Sequence, residues 1–122
     1  NVIGMIKGSD EQLKDEYIII GAHLDHVGQQ GGIIYFPGAN DNASGSAGVI
    51  EIAEAFVNGN LKPKRSVVFV LFAAEENGLD GARHCADHLP FPADKVVAML
   101  NMDCIAYGDR IKIGSGKTAL EL

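Results

Sequence analysis

Cysteine is scarce in this sequence, and the two cysteines present, Cys85 and Cys104, are too few for a disulfide framework. They do not form a Cys-x-x-Cys motif either. A single bridge between them and two free, buried thiols remain alternatives at this stage. The sequence therefore does not indicate a small disulfide-stabilised protein.

Long apolar runs and basic clusters are also missing. No apolar run reaches the length that spans a membrane, so we expect no membrane association. Lys and Arg number 10 against 16 Asp and Glu, and the net charge of -6 with scattered basic residues argues against nucleic-acid binding. No repeat, linker or low-complexity segment interrupts the 122 residues, which predicts one domain or part of one.

Apolar strands alternate with amphipathic helices along the chain. Continuous apolar runs are typical of strands buried on both faces, and the helical segments have an apolar period of three to four residues. The predicted strands are 17–20, 66–74, 96–102 and, more weakly, 110–113; the predicted helices are 44–58 and 78–88, with a Gly-rich loop at 29–42. This order predicts an α/β fold with a mostly parallel sheet flanked by helices.

Polar clusters follow the predicted strands at the points where their apolar runs stop. An isolated buried carboxylate is costly, and open parallel sheets bind ligands beyond the carboxyl ends of their strands. Asp41, just before the helix at 44–58, would lie near the positive end of that helix. The candidate ligands are His23, Asp25, Asp41, Glu75, Glu76 and Asp103.

Imidazole and carboxylate ligands of this kind suit zinc or a similar divalent metal. Asp25 lies two residues after His23 and could accept a hydrogen bond from the ring nitrogen that faces away from the metal. Glu75 and Glu76 could have different roles, with one binding metal and the other deprotonating a metal-bound water. Because one mononuclear site needs fewer acids, we expect two metal ions with one bridging carboxylate.

Several histidines and a cysteine have simpler explanations. His84 and His88 are spaced as i and i+4, but the Glu of a His-Glu-x-x-His motif is missing, so we interpret them as part of a solvated helix face. His26 is left open as a residue that lines the pocket near His23. Cys104 follows Asp103 directly, and we expect it to pack on the opposite side of the extended chain.

Four motifs in order resemble those of the M28 family of zinc aminopeptidases and carboxypeptidases. They are Gly-Ala-His-Leu-Asp-His at 21–26, Gly-Ala-Asn-Asp-Asn-Ala-Ser-Gly at 38–45, Ala-Ala-Glu-Glu-Asn-Gly-Leu at 73–79 and Leu-Asn-Met-Asp at 100–103. The resemblance runs from Asn1 to about Gly114. It implies a zinc-exopeptidase-like three-layer sandwich, of which residues 1–122 form one part.

The resemblance also implies a role for each motif residue. His23 would bind one zinc with Asp25 behind it, and Asp41 would bridge two zinc ions. Glu75 would be the general base, while Glu76 binds one zinc and Asp103 the other. The family pattern has a further His far downstream of the Asp103 position, so we expect a longer catalytic domain to complete the site.

The implied function is a zinc-dependent exopeptidase, with aminopeptidase activity favoured, that cleaves peptide substrates with a metal-activated water and a Glu general base. One alternative is a glutaminyl cyclase-like enzyme with one zinc, although the motifs that such enzymes tend to lose are intact here. The other is a non-catalytic binding module on the same scaffold. The family resemblance implies a secreted or periplasmic location, and no signal peptide is visible in the chain.

Overall fold

The computed structural model describes residues 1–110 and 112–114, and within them strands and helices alternate. The strands are β1 (Val2–Ile6), β2 (Tyr17–His23), β3 (Gln29–Gln30), β4 (Ile34–Tyr35), β5 (Ser66–Phe72) and β6 (Val96–Asn101). The helices are α1 (Gly45–Asn58) and α2 (Asp80–Asp87), with a π-helical turn at Ala39–Ser44 and a 3-10 turn at Ala93–Lys95. None of the described helices is long and apolar enough to cross a membrane.

Four of these strands form one sheet in the order β1-β5-β2-β6. The central pair β2 and β5 is parallel, β6 runs parallel to β2, and β1 pairs antiparallel with β5. This confirms the expected α/β fold with a mixed, mostly parallel sheet. Because β2, β5 and β6 share one direction, the residues that follow them meet at the same edge of the sheet.

Strand β5 lies at the centre of the core because its side chains are apolar on both faces. Val68, Val70 and Phe72 pack with Ile19 and Cys85 on the face covered by α2. Val67 and Phe69 pack on the opposite face, against α1. Burying one such valine stabilises the fold by about 1.5–3 kcal/mol relative to leaving it exposed. Helix, sheet and helix therefore form three layers.

The main predicted elements are present with shifted ends. The strand predicted at 17–20 extends to His23, the one at 66–74 stops at Phe72, and the helix predicted at 78–88 is the shorter α2. Helix α1 agrees with the prediction to within one residue. The longer β2 matters because its last residue, His23, is held directly by the sheet and not by a loop.

Two structural expectations were wrong, and a third concerns a segment that lies partly outside the described residues. The segment predicted as a buried strand at 96–102 forms an edge strand, with Val97 48% and Met99 52% exposed, because β2 is its one described partner. The loop predicted at 29–42 contains the small hairpin of β3 and β4. Of the weak strand predicted at 110–113, Ile111 lies outside the described residues and its described neighbours are not in a strand.

Candidate metal centre

The structure brings all of the sequence-predicted site residues to one edge of the sheet. His23 ends β2, Glu75 and Glu76 follow β5, and Asp103 follows β6 after one intervening residue. Asp41 comes from the π-helical turn before α1, where its backbone leaves the helical conformation. From His23 Nε2, the nearest carboxylate oxygens are Oδ1 of Asp41 at 3.2 Å, Oδ1 of Asp103 at 3.6 Å and Oε2 of Glu75 at 3.9 Å.

Two groups of the described residues could each hold a metal ion, and the first, here called the first ligand group, consists of His23, Asp41 and Asp103. Its N–O separations of 3.2 and 3.6 Å match two ligands on one zinc ion, which lie about 3.3 Å apart when each bond is about 2.0–2.1 Å and tetrahedral. The His23 side chain is 3% exposed, and its Nε2 is a buried polar atom without a hydrogen-bond partner among the described residues. Such an atom is costly unless something binds it, so the donor set fits a divalent cation.

The other ring nitrogen of His23 fixes the orientation of the imidazole. Nδ1 lies 3.1 Å from the backbone carbonyl oxygen of Asp25 and 3.8 Å from its carboxylate. We expected the carboxylate to accept this hydrogen bond, but the carbonyl accepts it. The consequence for the tautomer is the same, since a proton on Nδ1 leaves the lone pair of Nε2 free for a metal.

The Asp25 carboxylate has a different role, because it accepts the backbone N–H groups of Glu75 at 3.0 Å and Glu76 at 3.2 Å. Partial burial alone would raise the pKa of Asp25. These two backbone hydrogen bonds, together with one from the N–H of Asp25 itself and the nearby His23, outweigh that effect and hold this pKa below its usual range. Asp25 therefore holds the start of the segment that carries both glutamates, while its carbonyl orients His23.

The second ligand group consists of Asp41, Glu76 and His26. Its three candidate ligand atoms lie within 4.8 Å of one another, and His26 Nδ1 is 2.8 Å from Oε1 of Glu76 and 3.9 Å from Oδ1 of Asp41. The sequence interpretation left the role of His26 open. Its only sequence signal is its place directly after Asp25, at the end of the β2 motif.

Glu75 borders a cavity of about 200 Å³ beside the first ligand group. The same cavity is lined by the polar residues His23 and Asp103 and by the apolar residues Leu79 and Met99. Glu75 is not a member of either ligand group within the described residues. Its carboxylate is thus placed beside the ligands, next to a space that an apolar group can enter.

Asn42 is a structural residue of the site that sequence reasoning missed. Its side chain is buried, donates to the carbonyl of Met102 at 3.0 Å, and accepts the N–H groups of Gly45 at 3.0 Å and Cys104 at 3.3 Å. These bonds tie the turn that carries Asp41 to the segment that carries Asp103. Sequence shows Asn42 as one of several turn-forming residues and gives no sign of its distant partners.

The expectation that Cys104 packs away from the site is wrong. The residue is exposed, its backbone has a φ of 53°, and its thiol contacts the Asp103 carboxylate. Partial desolvation of the sulfur, together with the hydrogen bond and charge of Asp103, raises the pKa of the Cys104 thiol to about 11. The thiol is therefore protonated at neutral pH.

His84 and His88 are exposed and lie outside both ligand groups in the described part of the chain. Their rings stack on each other with centroids 4.2 Å apart, and His88 Nδ1 donates to the carbonyl of His84 at 2.9 Å. This agrees with a solvated face of α2.

Comparisons with known proteins give the same assignment as the motifs. Similar proteins include a probable zinc metalloprotease of Pyrenophora teres f. teres, with 37% identity over 85% of this chain and 22% of that protein. A probable leucine aminopeptidase of Arthroderma otae shows 31% identity over 93% of this chain and 32% of that protein. A probable glutamate carboxypeptidase of Arthroderma benhamiae shows 38% identity over 88% and 14%.

The chain thus spans less than a third of the length of these relatives. The model of peptidase family M28 matches residues 1–121, which is nearly the whole chain. The chain belongs to peptidase family M28.

Proposed function

We propose that this chain carries the zinc centre of a metal-dependent exopeptidase and that the enzyme acts as an aminopeptidase. The observation that carries the proposal is the buried, unpartnered Nε2 of His23, which lies 3.2 and 3.6 Å from two carboxylates among the described residues. A zinc metalloprotease and a leucine aminopeptidase among the relatives support the same activity.

In this proposal two zinc ions would have Asp41 as a common ligand. His23 and Asp103 would hold the first zinc with Asp41, and Glu76 would hold the second with Asp41. Bound zinc supplies Lewis acidity for the peptide carbonyl and for the attacking water. Neither group includes Glu75, and within the described residues its carboxylate, unlike that of Asp25, is not used to hold the backbone, so it is available for chemistry.

Glu75 is the general base of the proposed reaction. It takes one proton from water as the oxygen attacks the peptide carbonyl carbon, and it then passes this proton to the amine nitrogen as the carbon–nitrogen bond breaks. The backbone of Glu75 is fixed by its N–H hydrogen bond to Asp25, which keeps the carboxylate at the cavity beside the first ligand group. The apolar wall of that cavity would receive an apolar part of the substrate.

Glu75→Gln tests the general-base role most directly. The variant should bind zinc as the wild type does and lower kcat for leucine p-nitroanilide by about 10³-fold, since general-base catalysis contributes about 10²–10⁴-fold. The exposed Glu51 on α1 offers a matched control, and Glu51→Gln should leave kcat unchanged. Near-normal hydrolysis by Glu75→Gln would remove this residue from the role.

A carboxypeptidase is the second candidate, because a relative named as a glutamate carboxypeptidase matches 88% of this chain. The zinc-loaded protein should be assayed on a free peptide and on the same peptide with a blocked amino terminus. Cleavage of the free peptide alone supports the aminopeptidase. Release of the last residue from the blocked peptide would favour the carboxypeptidase, and zinc binding without any hydrolysis would favour a binding module.

A further inference from the structure

His26 is held in place by residues that come from outside its own segment. Its imidazole packs edge-on against Phe36, with ring centroids 6.4 Å apart and planes at 74°. Gly38 lies against the same side chain, where an added Cβ would be 2.9 Å from the Cβ of His26. The ring is 23% exposed, so it is a partly buried side chain with a defined position near Glu76.

The contact between His26 and Glu76 has the geometry of a hydrogen bond. Nδ1 and Oε1 are 2.8 Å apart, which is the usual length of a charge-assisted N–H···O bond. Two ligands of one zinc ion lie about 3.3 Å apart, as in the first ligand group. His26 therefore occupies the place of a hydrogen-bond donor to Glu76, and the 3.9 Å to Asp41 leaves it without a comparable contact there.

We propose that His26 is a positioning residue for the second zinc ion, through a hydrogen bond from Nδ1–H to Oε1 of Glu76. This bond holds the Glu76 carboxylate through Oε1 and would leave its other oxygen, Oε2, available to a cation. Phe36 and Gly38 keep the ring in the required orientation. The inference rests on the proposed two-zinc centre and assigns a role to a residue whose role the sequence left open.

Zinc titration of the metal-free protein by calorimetry tests this role, with wild type, His26→Ala and His26→Asn compared. Outer partners of metal ligands typically contribute about 10–100-fold to affinity. His26→Ala should weaken the second zinc ion by about that factor and leave the first unchanged. His26→Asn should recover most of the affinity, because its amide N–H₂ can take the place of Nδ1–H. His84→Ala, on the exposed face of α2, is the matched control and should change neither affinity.

The outcomes separate this role from its rivals. Unchanged affinities in His26→Ala would overturn it while leaving the proposed function intact. Equal losses in His26→Ala and His26→Asn, together with a changed visible spectrum of the cobalt-loaded protein, would make His26 a ligand and overturn the positioning role. A wild-type protein that binds no zinc would overturn the proposed function and this role with it.

Discussion

The two ligand groups share Asp41 but are built in different ways. In the first group, His23 is part of β2, lies in register with Phe72 of β5, and is 3% exposed with a free Nε2. In the second group, Glu76 and His26 come from loops, and their polar atoms are hydrogen-bonded to each other. A strand holds the backbone of His23 directly, whereas the loop residue Glu76 depends on hydrogen bonds with partners such as His26 and Asp25 for its position.

The strongest test of this difference between the two ligand groups is a substitution of His23. His23→Ala removes a proposed ligand from the first ligand group. We therefore expect the affinity for the first zinc ion to fall more than about 100-fold, which exceeds the effect of losing a hydrogen-bond partner of a ligand. Competition titration with a chromogenic chelator would measure both affinities. His88→Ala, an exposed histidine on α2, serves as control. A loss at the first site smaller than the one caused by His26→Ala at the second would contradict the contrast between the groups.

A substitution of Asn42 should have a smaller effect on the first ligand group than one of His23. The Asn42 side chain is not a ligand but joins the segments that carry Asp41 and Asp103. Asn42→Ala leaves the carbonyl of Met102 and the N–H groups of Gly45 and Cys104 without this partner. We expect the free energy of unfolding to fall by about 2–4 kcal/mol, since each buried group left unsatisfied costs about 1–3 kcal/mol. Asn42→Ala should also reduce the affinity for the first zinc ion more than the affinity for the second.

Urea unfolding of the metal-free protein would measure the stability effect of Asn42→Ala. Asn58→Ala, at the exposed end of α1, provides a matched control that should stay within about 0.5 kcal/mol of wild type. If Asn42→Ala were as stable as this control, the hydrogen bonds of Asn42 would have no structural importance. If both zinc affinities fell equally, the role of Asn42 would not be specific to the first ligand group.

The contrast between the groups also explains what sequence could predict. Apolar runs predict β2 and β5, and the shared direction of parallel strands then brings His23 and Glu75 to one edge. Asn42 bonds to Met102, 60 residues away along the chain, and His26 bonds to Glu76, 50 residues away, and no local pattern reports such contacts. The exposure of β6 was missed for a related reason, since an apolar run does not say how many neighbours a strand has.

The correction at Asp25 has the same origin. The spacing of His23 and Asp25 suggested a hydrogen bond between their side chains, and in the structure the Asp25 carbonyl takes that place. Its carboxylate instead accepts two backbone N–H groups from residues 50 and 51 positions later. Sequence spacing identified the right residue, but the choice between its carbonyl and its carboxylate depends on how the glutamate loop approaches.

The smallest expected effect concerns Asp25, which contacts both groups. Because its pKa is lowered in the folded protein, its charge stabilises the fold above the usual Asp pKa of about 3.9, and that stabilisation is lost as the pH falls through the lower folded-state value. Asp25→Asn keeps the backbone carbonyl at His23 and a neutral acceptor for the glutamate loop. The free energy of unfolding of metal-free Asp25→Asn at pH 7 should therefore be about 1 kcal/mol below wild type. Urea unfolding at pH 7 and at progressively lower pH should show the difference shrinking, and a difference that persists unchanged into strong acid would mean that the Asp25 charge does not hold the loop.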